Sequence, residues 1–435
     1  MGHKDHQDGR LNPQRSGDTP MQQNTPSSRA HFPLNPDSLG FILLIGFVVA
    51  IQAICTMLML PALPQIAQEF HTTPDLAQLT ISGFLIGLAS GQLVSGALSD
   101  RFGRRRVLLG GIALSVLAGV GCTMAQSIES LITLRALQGM GSAAGMVVGR
   151  AVIRDCFEGN RALKAMSMLS AIVSIVPMAG PPLTGLMLHW TSWRGVYAFI
   201  TTFSLVIGVL VWLRIAESLA RPDPRATDPR RMGENILTML RRADCMSFVL
   251  IGSLMYGGLI SVVSILGFVA RDSFALDTGV TGALLGSMAL SYSGGAIINN
   301  RLAGRWPMRR ILRLSTTAAF LSGLATLAIA LGIAHGLLSG LPALALLITA
   351  MMCFNLSFGV TNPTVMVMFL KPMAHMAGTA SALAATVQTL GGALLVWLAG
   401  YLYDGTPAAI GYSLTLVSFL AFLIYRLSAA RYMPD

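Results

Sequence analysis

The sequence predicts an all-α membrane protein: twelve transmembrane helices in two pseudo-symmetric six-helix bundles. Three observations carry that expectation. Hydrophobic residues make up 53% of the 435 positions and charged residues only 11%. The apolar residues gather into twelve long runs, and Lys and Arg fall almost entirely in alternate connections between them. A soluble chain carries about 25% charged residues, so this one cannot clothe a soluble surface. Twelve spans of ~20 residues use about 240 positions and leave the rest for loops and ends.

The elements follow in order. Residues 1–38 are polar, contain Pro13, Pro20, Pro26, Pro33 and Pro36, and have no apolar core. They read as a disordered cytoplasmic tail and not as a signal peptide. Apolar runs near 39–60, 78–98, 107–125, 130–149, 165–188 and 195–214 form an N-terminal bundle over 39–214. Residues 215–245 are polar and Pro-rich around Arg221, with a short amphipathic stretch from Ile236 to Arg242, and read as a cytoplasmic linker. Runs near 246–268, 280–299, 311–334, 341–362, 377–401 and 409–428 form a C-terminal bundle over 246–428, followed by a cytoplasmic tail at 429–435.

The formal charge of +11 raises nucleic acid, acidic lipid, an anionic substrate or membrane orientation as explanations. The loops decide. The termini and every even-to-odd connection together hold 27 Lys and Arg, and the opposite loops hold two, Arg194 and Arg271. By the positive-inside rule both termini are cytoplasmic and the charge is an orientation signal, with no nucleic-acid partner implied. The five cysteines are scattered without a CxxC pair, so neither a metal site, a disulfide framework nor a cofactor is expected.

The two halves share a trace of duplication. Gly96-Ala-Leu-Ser-Asp100-Arg101-Phe-Gly103-Arg104-Arg105-Arg106 follows the second span, and Asn300-Arg-Leu-Ala-Gly304-Arg305-Trp-Pro307-Met-Arg309-Arg310 follows the eighth. Paired six-helix repeats build one large class of secondary transporters. The first of these loops resembles the signature loop of the major facilitator superfamily. Leu134-Arg135-Ala-Leu-Gln138-Gly139-Met-Gly141, Gly180-Pro181-Pro182-Leu-Thr184-Gly185 and Leu60-Pro61-Ala-Leu-Pro64 resemble motifs of its drug:proton antiporters. Gly149-Arg150-Ala-Val-Ile-Arg154-Asp155 and Trp193-Arg194 narrow the resemblance to the Bcr/CflA drug-resistance group. Two positions depart from that group: Met57 stands where an acidic residue is usual in the first span, and Thr184 replaces a glycine.

Each candidate residue has a structural and a functional reading. Asp100, Arg101, Gly103 and Arg104 serve either as a topology anchor or, as the resemblance implies, as a conformational latch between the halves. A carboxylate at a helix end accepts N–H and Arg donors, and Gly103 permits the turn. An intramembrane Arg135 is expensive and by default functional, although a snorkelling or hydrogen-bonding Arg is the structural alternative. The resemblance implies a coupling role, with Arg135 and Met57 at similar depth beside one cavity. Gly180, Pro181, Pro182 and Gly185 either bend a helix or, by resemblance, close the cavity against leakage. Gln52, Tyr256, Tyr292, Asn355 and Gln388 are interhelical glue or substrate lining. No carboxylate falls in mid-span, so protonation is expected to act at Asp100 or Asp155, or to modulate a site around Arg135.

The expected protein is a monomeric secondary transporter of the inner membrane that exports drugs or related amphipathic molecules by alternating access in exchange for protons. Spans 1, 4, 7 and 10 are expected to line its cavity. An uptake carrier for a small organic anion on the same fold is the second reading. A membrane sensor or intramembrane enzyme lacks a signalling domain in the one case and a catalytic constellation in the other.

Overall fold

The computed structural model describes residues 34–36, 38–427 and 429–432. The tail expected over 1–38 lies outside the described residues except at 34–36 and 38. The chain is all-helical. Helix α1 (Leu39–Met57) starts where the Ser38 side chain accepts the Phe41 N–H, and it gives way at Pro61 to a 3-10 turn and then α2 (Leu63–Glu69). Helix α3 (Pro74–Phe102) runs almost directly into α4 (Arg104–Met124) because Gly103 takes φ +98°, a left-handed conformation that a side chain would resist. A Ser127/Ser130 capping box opens α5 (Ile128–Cys156), followed by α6 (Gly159–Met187) and α7 (Trp193–Arg214). The linker forms α8 (Pro229–Leu240). Then come α9 (Ala243–Phe274), α10 (Thr278–Leu302), α11 (Met308–Ala334), α12 (Gly340–Leu370), α13 (Ala377–Tyr401) and α14 (Ala408–Leu427).

Among the described residues twelve helices are long and apolar enough to cross a membrane, which agrees with the twelve apolar runs. The helices overrun those runs. Helix α5 has 29 residues, a length of about 44 Å at 1.5 Å per residue against a hydrocarbon core of ~30 Å. Hydropathy marks where the lipid ends, whereas the helix continues until a residue stops it.

In the first half α5 packs against α3, α4 and α1, and α7 packs on α4. In the second, α9 packs on α13, α14 and α12, while α10 and α11 each pack on α12. Two seams join the bundles: α3 against α13, and α6 against α10. These are the second and eleventh, and the fifth and eighth, spans, so the pseudo-symmetry exchanges one seam for the other. Glycines let the seams close. A Cβ on Gly282 would collide with the Pro181 carbonyl, and one on Gly185 with that of Thr278.

Candidate functional site

The seams are tight toward the face opposite the basic loops. There the Arg271 guanidinium donates to the Pro64 carbonyl at 3.1 Å, Thr278 Oγ1 to the Gly185 carbonyl at 3.3 Å, and Ser82 Oγ to the Ala393 carbonyl at 2.8 Å. Toward the basic face the halves separate around a cavity of about 630 Å³. That volume lies in the range of drug-sized ligand sites. Eight membrane helices line it: α1, α3, α5 and α6 from the first half, and α9, α10, α12 and α13 from the second. The expected four spans are among them, but the seam helices contribute as well.

The wall is mainly apolar, with Met57, Met146, Met166, Met288 and Met366 among its side chains. Thioether chains are adaptable and polarizable. Polar groups are scattered across this surface. Gln52, Tyr256, Tyr292 and Gln388 all line the cavity, as does Asn362, whose Nδ2 donates to the Tyr292 hydroxyl at 3.0 Å. Asn355 does not. On α12 the lining residues are Phe358, Asn362 and Met366, and Asn355 sits nearly a turn beyond them toward the closed end, 1% exposed. Its amide is packed where the cavity has already ended.

Arg135 is also absent from the cavity wall, while Met57 is part of it. The expected shared placement is corrected: Arg135 is fully buried within the first bundle. Its Nη1 donates to the Cys55 carbonyl of α1 at 3.1 Å and to Gln138 Oε1 at 2.7 Å, and its Nε to the Thr80 carbonyl of α3 at 3.4 Å. The guanidinium lies 4.3 Å from the ring centre of Phe84 and 5.7 Å from that of Tyr197. Carbonyl oxygens and ring faces thus take the place of a carboxylate partner. A charge in mid-helix satisfied by backbone acceptors on neighbouring helices leaves no trace in the sequence.

At the basic face, Arg104 joins α4 to two neighbours. It pairs with Asp100 of α3 and, through Nε at 2.9 Å, with Asp155 of α5. The α4 N-terminus is capped by a residue that no motif pointed to: Glu217 accepts from the Arg104 N–H at 2.7 Å and the Arg105 N–H at 3.1 Å. A carboxylate there meets the positive end of the helix dipole. Arg101 donates to Thr227 Oγ1 at 2.5 Å, and the Asp223 N–H to the Asp100 carbonyl at 2.9 Å. Asp100, Arg101 and Arg104 were expected to join the two bundles. Among the described residues, their side-chain contacts instead remain within the first bundle and the linker, because the seams are parted at this face. Glu217 carries no local pattern, only a position shortly after the sixth run.

The Gly180–Gly185 stretch sits where α6 meets two helices. A Cβ on Gly180 would press on Leu58, just past the end of α1, at 2.6 Å, and Pro182 packs on Gly286 of α10. Helix α6 continues through Pro177, Pro181 and Pro182. Among the described residues no group of three metal-ligating side chains occurs.

The family profile of the Major Facilitator Superfamily matches residues 45–396. An uncharacterized MFS-type transporter, YdgK of Bacillus subtilis (strain 168), is 28% identical over 376 residues, covering 85% of this chain and 90% of its own. The bicyclomycin resistance protein homolog of Haemophilus influenzae is 24% identical over 396 residues, covering 90% and 96%. The multidrug resistance protein MdtL of Klebsiella pneumoniae (strain 342) is 27% identical over 342 residues, covering 78% and 83%. Among solved structures, a bacterial homolog to the human lysosomal transporter Spinster, inward-facing and unoccupied, superposes with a TM-score of 0.70 at 14% identity, over 90% of this chain and 96% of that one. A D-xylose–proton symporter superposes with a TM-score of 0.69 at 13% identity, over 88% and 96%.

Proposed function

Because the chain belongs to the major facilitator superfamily, we propose that it exports drugs or related amphipathic small molecules from the cytoplasm across the inner membrane in exchange for protons. The cavity carries this reading. Its wall is mostly apolar and rich in methionine, hydrogen-bonding groups are scattered across it, and no carboxylate stands among its described lining residues. Such a surface holds varied apolar bodies without demanding one hydrogen-bond pattern. The names of the bicyclomycin- and multidrug-resistance relatives support the same substrate class.

In this reading both termini are cytoplasmic, supported by the 27-to-2 division of Lys and Arg, and the protein works as a monomer. The cavity faces the cytoplasm in the present state and reaches the other side when the bundles rock. Asp100, Arg101, Gly103 and Arg104 act as the latch, with Asp155 as a further acceptor. Gly180, Pro181, Pro182 and Gly185 seal the far end. With no carboxylate among the described wall residues, proton coupling falls to the Asp100–Arg104–Asp155 cluster. Arg135 and Met57 act from opposite sides of one helix layer: Met57 touches substrate and Arg135 holds α1 in place.

The test is efflux of a fluorescent amphipathic drug from loaded cells expressing the protein. Faster efflux than in cells without it, abolished by a protonophore, is expected. Efflux undiminished after collapse of the proton gradient would rule out proton exchange.

A further inference from the structure

We infer that Arg150 and Arg154 form an anion-binding site at the mouth of the cavity, so that substrate is carried with a carboxylate-, sulfonate- or phosphate-type group held there. This deepens the export reading and rests on it. The two residues stand four apart on α5 and therefore share one face of the helix. Both side chains are exposed, and both line the cavity. They are its only charged lining residues among those described.

Neither is neutralised. Among the described residues no ion pair or hydrogen bond engages either guanidinium. The adjacent carboxylate, Asp155, is occupied by Arg104 at 2.9 Å and by Ser218 at 3.3 Å. Across the cavity the second bundle presents Asn362, Met366, Ser381 and Ala382, with no acid. Arg101 and Arg105, by contrast, turn away from the cavity, Arg101 to Thr227 Oγ1 in the linker and Arg105 to the Trp212 carbonyl of α7. An orientation signal needs only that cations lie at this face. It does not require two of them to turn into the cavity unpaired.

A guanidinium set unpaired into a mainly apolar wall offers forked donors that match a carboxylate or phosphate. An amphipathic anion satisfies both ends of the cavity. Its charged group meets the arginine pair, and its apolar body extends toward Met57, Met288 and Phe358. The headgroup of an anionic phospholipid has the same chemistry, so the test separates a solute from a lipid.

The full chain is reconstituted in phosphatidylcholine nanodiscs and titrated with 1-pyrenebutyrate and with its uncharged amide, with binding to empty nanodiscs subtracted. The carboxylate is expected to bind about tenfold more tightly than the amide, which is about 1.4 kcal/mol. The R150Q/R154Q variant is expected to abolish that preference, and R150K/R154K to retain part of it. Equal affinity of the wild type for both probes, or a preference that survives R150Q/R154Q, would overturn the site. A preference that vanishes when phosphatidylglycerol is added assigns the pair to a lipid headgroup and overturns the solute site. Binding of neither probe overturns the amphipathic-substrate reading itself, a failure distinct from loss of the charge preference alone.

Discussion

Arg135 shows how a single residue can be conspicuous in a sequence and still be misplaced by it. A lone charge in an apolar run is visible at once, but its partners are backbone carbonyls of Cys55 and Thr80, brought up by other helices. Replacing it with Ala removes three hydrogen bonds and strands Gln138 in the interior, at a cost of about 2–4 kcal/mol. Thermal unfolding in detergent should show that loss, and transport should fall by a similar factor for every substrate. A changed ranking of substrates would put Arg135 in the substrate path. Gly139 was legible for a physical reason. Small residues spaced along a membrane helix let neighbours approach closely, and Cβ atoms on Gly139, Gly141 and Gly145 would collide with α3, α4 and α1 respectively. Gly139→Ala should therefore destabilise the first bundle by about 1–3 kcal/mol, read as a lower unfolding temperature.

At the level of elements, the two related loops have diverged, so that only the first can build the proposed latch. The second loop has Gly304 where the first has Asp100, and Pro307 where the first has Gly103. Helix α10 accordingly stops at Leu302 and α11 begins at Met308, while α3 and α4 meet at a single residue. Only the first loop can place a carboxylate against Arg104. Asp100 is half exposed, and such a pair contributes little to stability, about 0–1 kcal/mol. Asp100→Asn should leave the unfolding temperature nearly unchanged yet slow transport about fivefold or more, as a shift of ~1 kcal/mol between two states would do. Glu217→Gln should do the reverse, lowering stability by about 0.5–2 kcal/mol through the α4 N-terminus. The twelve spans themselves were legible because lipid demands long apolar runs. Glu217 was not, since its partner is the start of a helix more than a hundred residues away.

For the molecule as a whole, charge and cavity carry the account. The +11 balance gathers at one face, and with that face cytoplasmic, as proposed, a fluorescent-protein fusion at the C-terminus should glow and an alkaline phosphatase fusion should stay inactive. Arg150 and Arg154 qualify that statement, since they turn from the same face into the cavity. Which residues line that cavity followed from how two bundles part, a relation between distant helices, and this is why Gln52, Tyr256, Tyr292 and Gln388 fell on its wall and Asn355 did not. The most direct test of the central claim is accumulation of a fluorescent amphipathic drug in everted membrane vesicles energised to be acid inside. The account predicts accumulation that requires the protein and collapses when the pH gradient is dissipated. No accumulation there, with concentrative uptake of a small organic anion by whole cells instead, would contradict it.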